Sequence, residues 1–200
     1  MLKPFYDETL TEAGCDEAGR GSFAGPVFAA AVILPKNFFH PLLNDSKQLT
    51  ADQRNELRRV IEEKADDYAV ASVTSEEIDR TNILKASIRA MHMAIALLKS
   101  DPDLLLVDGN RFYKYKKIPY RCFIKGDATY ASIAAASILA KTYRDEYMLE
   151  LHNRFPAYNW ASNKGYGTPE HRRAIETFGI CKYHRKSFRL LPSAASLFDC

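Results

Sequence analysis

The chain has 200 residues, of which 46% are hydrophobic and 12% aromatic, so it suits one domain with a substantial core and at most a modest appendage. The net charge of +3 at pH 7 is weak evidence about partners, and the apolar runs are too short to cross a bilayer. Residues 1–15 carry acids instead of a signal-peptide pattern, and four cysteines without a Cys-x-x-Cys pair argue against disulfides or a zinc knuckle, so we expect a cytoplasmic protein.

The first predicted strand, Thr11–Asp16, leads into two adjacent acids, Asp16 and Glu17. The turn that follows them contains Gly19, Arg20 and Gly21. Neighbouring acids repel each other, so a fold gains little from them unless they share a cation or a proton. Glycines let backbone N–H groups approach a ligand closely, and a guanidinium is a fork that suits phosphate. The stretch indicates metal-assisted chemistry on a phosphate ester, and a solvated turn between two strands is the alternative.

The next elements alternate between short apolar runs and helical patterns. Val27–Leu34, bounded by prolines, is typical of a buried strand. Thr50 and Gln53 form a capping-box pattern that predicts the start of a helix. A third strand is predicted over Tyr68–Thr74 and a long helix over Asn82–Lys99, because apolar residues recur there at strand and helix spacing respectively.

The second half of the pattern repeats strand and helix. A buried strand is predicted over Asp103–Asn110 and a fifth strand over Ile118–Ile124, and Asp127 then opens a helix of small residues, Ala128–Arg154. Bases and aromatics alternate over residues 111–121, which predicts an exposed hairpin and a secondary nucleic-acid-binding candidate. The order of elements favours a sheet with helices on its faces.

Several acids of the chain could meet at one edge of that sheet. Asp16 and Asp108 lie at the carboxyl ends of predicted buried strands, where open α/β sheets place their sites. They converge with Glu17 and Asp127 only if the first and fourth strands are neighbours. Such carboxylates suit hard cations such as Mg²⁺ or Mn²⁺. Asp127 has an alternative role as a helix N-cap, and Asp145 is interpreted as a structural acid in a salt bridge.

With these residues assembled, the chain resembles the ribonuclease HII family, the type 2 ribonucleases H. The matching segments occur in the family's order and extend from about residue 12 to residue 188. They are residues 16–21, 25–26, 45–47, 107–109, 125–127, 132–141, 144–145, 164–168 and 184–188. A single one of these motifs would be weak, whereas the ordered set is very specific.

The resemblance implies an RNase H-like α/β fold, with a mixed five-stranded sheet flanked by helices over residues 1–155. A C-terminal helical extension, residues 156–200, is expected to belong to the same globular unit. The implied activity is endonucleolytic hydrolysis of RNA paired to DNA, including incision at single ribonucleotides within duplex DNA, leaving 3′-hydroxyl and 5′-phosphate ends. The implied cofactor is Mn²⁺ or Mg²⁺, two ions with substrate bound. The implied catalytic and metal-binding residues are Asp16, Glu17, Asp108 and Asp127.

The resemblance also implies a substrate-binding set. Gly19, Arg20 and Gly21 would hold the junction between ribose and deoxyribose, and Tyr166 would pack against the deoxyribose. Four basic side chains would touch backbone phosphates, with a solvated base as the alternative for each: Lys47, Lys125, Arg185 and Lys186. Ser46 is a further substrate-binding candidate, with a turn residue as its alternative.

Two rival functions remain open at this point. A related nuclease of the resolvase or integrase type would act on DNA alone, and a non-catalytic domain would bind hybrids without cutting them. The set of four acids argues against a pure binder, since negative charge facing phosphates weakens binding. We expect a monomer, no membrane association, and no recruitment by a sliding clamp, because Leu190–Cys200 lacks a clear clamp-binding motif.

Overall fold

The computed structural model describes residues 2–43 and 49–191. Their centre is a five-stranded sheet in the order β3-β2-β1-β4-β5. The strands are β1 Glu12–Ala18, β2 Val27–Ile33, β3 Asp67–Val73, β4 Leu104–Asp108 and β5 Tyr120–Phe123. β1, β2 and β3 pair antiparallel, whereas β4 runs parallel to both β1 and β5. The mixed five-stranded sheet is therefore confirmed, and so is the condition that the first and fourth strands are neighbours.

Helices cover both faces of the sheet. They are α1 Ala51–Lys64, α2 Ser75–Arg80, α3 Ile83–Leu97, α4 Ala131–Arg154, α5 Trp160–Asn163 and α6 Pro169–Phe178, with short 3₁₀ turns at Gly126–Ala128 and Pro156–Tyr158. The predicted capping box is present, since Thr50 and Gln53 exchange side-chain and backbone hydrogen bonds at the start of α1. No helix of the described residues combines the length and the apolar character that crossing a bilayer requires.

Alternate residues of the strands face two separate cores. Ala29 and Ala31 of β2 pack in the core under α3, whereas Ala30 and Val32 pack under α1 and α4. The contact between α4 and β1 is unusually close at Gly14, where an added Cβ would lie 2.1 Å from the backbone carbon of Ser132. The start of α4 therefore lies directly against the strand that carries the first acids.

The helix predicted from Ala128 begins later, at Ala131. Residues Gly126–Ala128 form a 3₁₀ turn instead, and Tyr130 occupies the N-cap position of α4. The alternative role of Asp127 as the N-cap of that helix is therefore wrong.

The residues after α4 form a third core on one end of the molecule. Trp160, Ile175 and Leu190 pack there against Met148 of α4 and against Ala24, which follows the glycine turn. The C-terminal helical part therefore contacts both α4, the longest helix on the sheet, and the segment that follows the turn after β1.

Candidate active site

Strand pairing brings three acids to one edge of the sheet. Cys15 of β1 lies opposite Val107 of β4 in a parallel ladder, so Asp16 and Asp108 follow on adjacent strands. Successive side chains of a strand point to opposite faces. Asp16 accordingly hydrogen-bonds Ser137 of α4, whereas Glu17 lines a cleft on the α3 side that Asp108 also lines.

The electrostatics of these acids are dominated by burial and mutual repulsion. Asp16 is 5% exposed, and burial, followed by the charges of Glu17 and Asp108, raises its pKa well above the usual value. Burial also raises the pKa of Glu17, opposed by the positive charge of Arg20 and reinforced by Asp108. Negative charge at this edge is therefore only partly compensated by the protein itself.

The fourth acid is placed by a tight turn. The amide N–H of Gly126 donates a 2.7 Å hydrogen bond to Oδ1 of Asp108, and Asp127 follows directly with 3% exposure. A Cβ at Gly126 would meet the Ile133 side chain at 2.7 Å and Cβ of Phe123 at 3.2 Å, so the turn fits closely between β5 and α4. The residue before Asp127 is thus bonded to Asp108, and Asp127 itself lies in a 3₁₀ turn and not in a regular helix.

The four acids do not form a preformed metal cage. Within residues 2–43 and 49–191, no three Asp, Glu, His or Cys side chains converge closely enough to hold an ion. The donor set nevertheless fits a hard divalent cation, because it is made of carboxylate oxygens, and burial together with repulsion between the acids raises the pKa values of Asp16 and Glu17. A cation would relieve that repulsion.

The cleft beside the acids also contains polar residues that the sequence did not single out. Asn110 follows Asp108 after the end of β4, and Ser87 projects from α3 with a buried hydroxyl that has no hydrogen-bond partner among the described residues. Arg20 and Arg111 complete the lining on the basic side. The position of Asn110 two residues after the strand-ending acid Asp108 was the available signal, whereas Ser87 had none.

The glycine turn is shaped by a buried arginine. Gly19 has a φ of +87°, and a Cβ there would lie 1.8 Å from Nε of Arg144. Arg144 is fully buried on α4 and donates to the carbonyls of Pro26, Lys164 and Ala24. Arg20 instead extends outward and pairs with Glu17 at 3.3 Å.

Tyr166 lies beside this turn on the C-terminal part. The N–H groups of Phe23 and Ala24 donate to the carbonyl of Gly165 at 2.8 and 3.2 Å, which joins the two loops. The Arg144 guanidinium carbon lies 5.4 Å from the centre of the Tyr166 ring. With 37% of its surface exposed, the ring is available to a ligand on its outer side.

One buried histidine, His171, is hydrogen-bonded to the carbonyl of Tyr166, and a second, His184, contacts His171. Nε2 of His171 accepts from Trp160 Nε1–H at 3.1 Å, so its Nδ1–H is the donor to the Tyr166 carbonyl at 2.9 Å. His184 accepts at Nδ1 from the N–H of Cys181 and therefore donates from Nε2 to Nε2 of His171 at 3.2 Å. Burial lowers the pKa of both rings, that of His184 to about 4, so both are neutral. Sequence reasoning missed this pair.

The expected phosphate contacts divide into three cases. Lys125 and Lys186 are exposed, as such contacts require. Ser46 and Lys47 lie outside the described residues. Arg185 is 0% exposed and donates to backbone carbonyls in the interior, so the expectation that it meets a phosphate conflicts with its burial.

The basic and aromatic segment over residues 111–121 is only partly a surface feature. Tyr115 and Ile118 form an antiparallel bridge, in line with the expected hairpin. Phe112 and Tyr115 pack against the ring of His92, whereas the bases point outward.

Asp145, interpreted as structural, pairs with Lys141 at 2.6 Å.

Comparison with known proteins points to one family. The family model described as Ribonuclease HII matches residues 13–191. A ribonuclease HII from Christiangramia forsetii is 62% identical over 188 residues, which is 94% of this chain and 95% of that protein. One from Bacteroides fragilis is 61% identical over 191 residues, covering 96% of this chain and 95% of the relative.

Solved structures agree with the fold. The ribonuclease H2 of Pyrococcus horikoshii OT3 superposes with a TM-score of 0.75 at 26% identity, covering 90% of this chain and 94% of the other. The ribonuclease HII of Archaeoglobus fulgidus, solved in a complex with PCNA, gives 0.74 at 24% identity and covers 94% and 100%. A Bst-RNase HIII solved with Mn²⁺ gives 0.66 at 20% identity, covering 85% and 63%.

Proposed function

Since the chain belongs to the ribonuclease HII family and is a ribonuclease H endonuclease acting on RNA/DNA hybrids, we propose that it also incises duplex DNA at single embedded ribonucleotides, with Mg²⁺ or Mn²⁺ as cofactor. The products are 3′-hydroxyl and 5′-phosphate ends. The observation that carries the proposal is the adjacency of two features. The three acids Asp16, Glu17 and Asp108, which repel one another, lie at one sheet edge. Next to them is the turn of Gly19 to Gly21, and hydrogen bonds join the segment of this turn to the loop that contains the exposed Tyr166.

The four acids have distinct tasks in this proposal. Asp16, Glu17 and Asp108 would hold one ion, and Asp16 or Asp108 would bridge to a second. Asp127 would complete the second site or orient the attacking water. Bound divalent ions supply water activation and stabilisation of the departing oxygen. In the hydrolysis the water oxygen forms a bond to phosphorus and the P–O3′ bond breaks. O3′ leaves with a proton as the 3′-hydroxyl.

The turn and Tyr166 supply selectivity for the sugar. A 2′-hydroxyl distinguishes RNA from DNA, and backbone groups of a glycine turn can hydrogen-bond it at close range. A flat ring against the next sugar favours the one that lacks a hydroxyl. Lys125 and Lys186, both exposed, support orientation on backbone phosphates. Ser46 and Lys47 remain candidates from the sequence for the same contacts.

An end-labelled duplex with one ribonucleotide tests the proposal. With Mg²⁺ or Mn²⁺, we expect a nick on the 5′ side of the ribonucleotide, and no cleavage of an all-DNA duplex of the same sequence. The Asp108→Asn variant serves as the inactive control. Cleavage of the all-DNA duplex would favour the DNA-only nuclease, and metal-independent binding without any cleavage would favour the non-catalytic domain.

We further propose that the enzyme works in the cytoplasm as a monomer, with residues 1–155 and 156–200 acting as one unit. The third core, shared by α4 and the C-terminal helices, supports the unit. A sedimentation mass of twice the chain would contradict the monomer. The sequence gives no motif for a sliding clamp in the tail, of which residues 192–200 lie outside the described part.

A further inference from the structure

Arg185 is a buried cation whose hydrogen bonds go to the glycine turn. Its Nη2 donates to the carbonyl of Gly19 at 2.7 Å, its Nη1 to that of Arg20 at 2.8 Å, and its Nε to that of Gly25 at 3.0 Å. Within the described part of the chain, no carboxylate lies within ion-pair distance of it. Burying a guanidinium without an acid costs free energy, and the three hydrogen bonds to backbone carbonyls offset that cost.

These bonds fix the direction of two peptide groups. In a trans peptide the C=O and the N–H point to opposite sides, and the chain contains no cis peptide among its described residues. Because the carbonyls of Gly19 and Arg20 turn inward to Arg185, the N–H groups of Arg20 and Gly21 turn outward. Both residues are exposed, and neither N–H donates to another group of the described chain.

The arginine itself is held in place from both sides. Its own N–H donates to the carbonyl of Phe23 at 2.8 Å, which joins it to the loop between the glycine turn and β2. The next residues are anchored on α2, where Asp79 accepts from the N–H groups of Lys186 and Ser187, each at 2.9 Å. The guanidinium therefore meets the turn from a fixed direction.

We propose that Arg185 is a positioning residue that presents the N–H groups of Arg20 and Gly21 to the substrate sugar and so sets the preference for ribose. Two outward N–H groups can donate to a 2′-hydroxyl oxygen, and a deoxyribose offers no acceptor there. This inference rests on the proposed function, since it concerns the same turn. In this inference Arg185 acts on the sugar indirectly, through the turn, and does not contact a phosphate.

Binding without metal tests the inference, so that catalysis does not enter. Dissociation constants are measured in EDTA for a duplex with one ribonucleotide and for the matching all-DNA duplex. The wild type is expected to prefer the first. Arg185→Lys keeps the charge but not the planar fork, and it should lower this preference about fivefold to tenfold, as losing a backbone donor implies. Its affinity for the all-DNA duplex should stay within about twofold, within the error of comparing related complexes.

Lys186→Gln is the matched control, because it removes the neighbouring exposed base. It should weaken binding to both duplexes equally and reduce the salt dependence by about one charge, leaving the preference unchanged. A folded Arg185→Lys variant that keeps the full preference would overturn the inference alone. A wild type with no preference would overturn the proposed ribose reading and this inference with it.

A measurement on the wild type covers the case in which Arg185→Lys does not fold. In ¹H–¹⁵N spectra, the ribonucleotide duplex should shift the amide signals of Arg20 and Gly21 more than the all-DNA duplex does. The amide of Gly179, a glycine with positive φ after α6, is the reference signal. Equal shifts of the Arg20 and Gly21 amides by the two duplexes would contradict the outward donors.

Discussion

The acids and the glycine turn lie within one short stretch of sequence, but they are held by different means. Asp16 and Asp108 are placed by the parallel ladder of β1 and β4, in which regular backbone bonds do the positioning. The turn and Tyr166 are placed by side chains from distant segments, chiefly Arg144, Arg185 and His171. The chemical half of the proposed site, the acids, thus follows from the sheet. The reading half, which is the turn and Tyr166 that we propose recognise the sugar, depends on buried polar side chains.

The largest effect is expected from a substitution that disrupts the chemical half of the site and leaves the reading half intact. Asp16→Asn should lower cleavage of a hybrid about 10³-fold or more, since a metal site supplies several kcal/mol to the transition state. Hybrid affinity should change little. The melting temperature should not fall, because the substitution removes a carboxylate whose pKa is raised by burial and by its neighbours Glu17 and Asp108.

Asp145→Asn provides the comparison for that variant. Asp145 pairs with Lys141 on α4, where both side chains are partly buried, and it does not line the cleft beside the acids. Cleavage by this variant should match the wild type. Turnover by Asp16→Asn at the wild-type rate would refute the assignment of Asp16.

A second substitution breaks the reading half through its packing. Gly19→Ala places a Cβ against the buried guanidinium of Arg144 and also imposes a φ of +87° on alanine. Overpacking and left-handed backbone together should cost about 3–4 kcal/mol of unfolding free energy, measured by urea denaturation.

Gly179→Ala separates these two costs. Gly179 has a φ of +74° and a ψ of −172°, a combination that only glycine adopts readily, and no atom lies within 4 Å of an added Cβ, so only the backbone cost of about 1–3 kcal/mol applies. Equal losses in Gly19→Ala and Gly179→Ala would mean that Arg144 yields easily and does not shape the turn.

The smallest expected effect is a dependence of stability on pH, and it arises from His184 in the reading half of the site. The folded-state pKa of His184 is lowered to about 4 by burial and by His171, from 6.5 when unfolded. The unfolded chain therefore binds more protons between these values, and stability should fall as pH drops from 6.5 towards 4. This ring contributes up to about 3 kcal/mol to that loss.

The variant His184→Gln isolates the contribution of this ring. Asp16 and Glu17 act in the opposite direction, since their raised pKa values favour protonation of the folded state. The difference in unfolding free energy between wild type and variant, followed from pH 7 to pH 4, removes that background. A difference that does not depend on pH would refute the neutral buried histidine.

The sequence predicted the two halves unequally. The alternation of apolar runs indicated β1 and β4, and the acids at their ends followed from the general position of sites in such sheets. The start of α4 was misplaced because nothing in Gly126–Ala128 distinguishes a 3₁₀ turn from a first helical turn. Arg185 was interpreted as a surface base, since its partners Gly19 and Arg20 are remote in sequence and are backbone atoms, which leave no pattern in the side chains.

The buried bond between Arg185 and the turn has a consequence for the order of synthesis. On a ribosome the chain emerges from its N-terminus, so β1, β4 and all four acids are available well before residue 185. The sheet edge can assemble at that stage, but the peptide groups of Gly19 and Arg20 lack the guanidinium that directs them. A growing chain would thus contain the four acids first, and it would gain the proposed discrimination between sugars last.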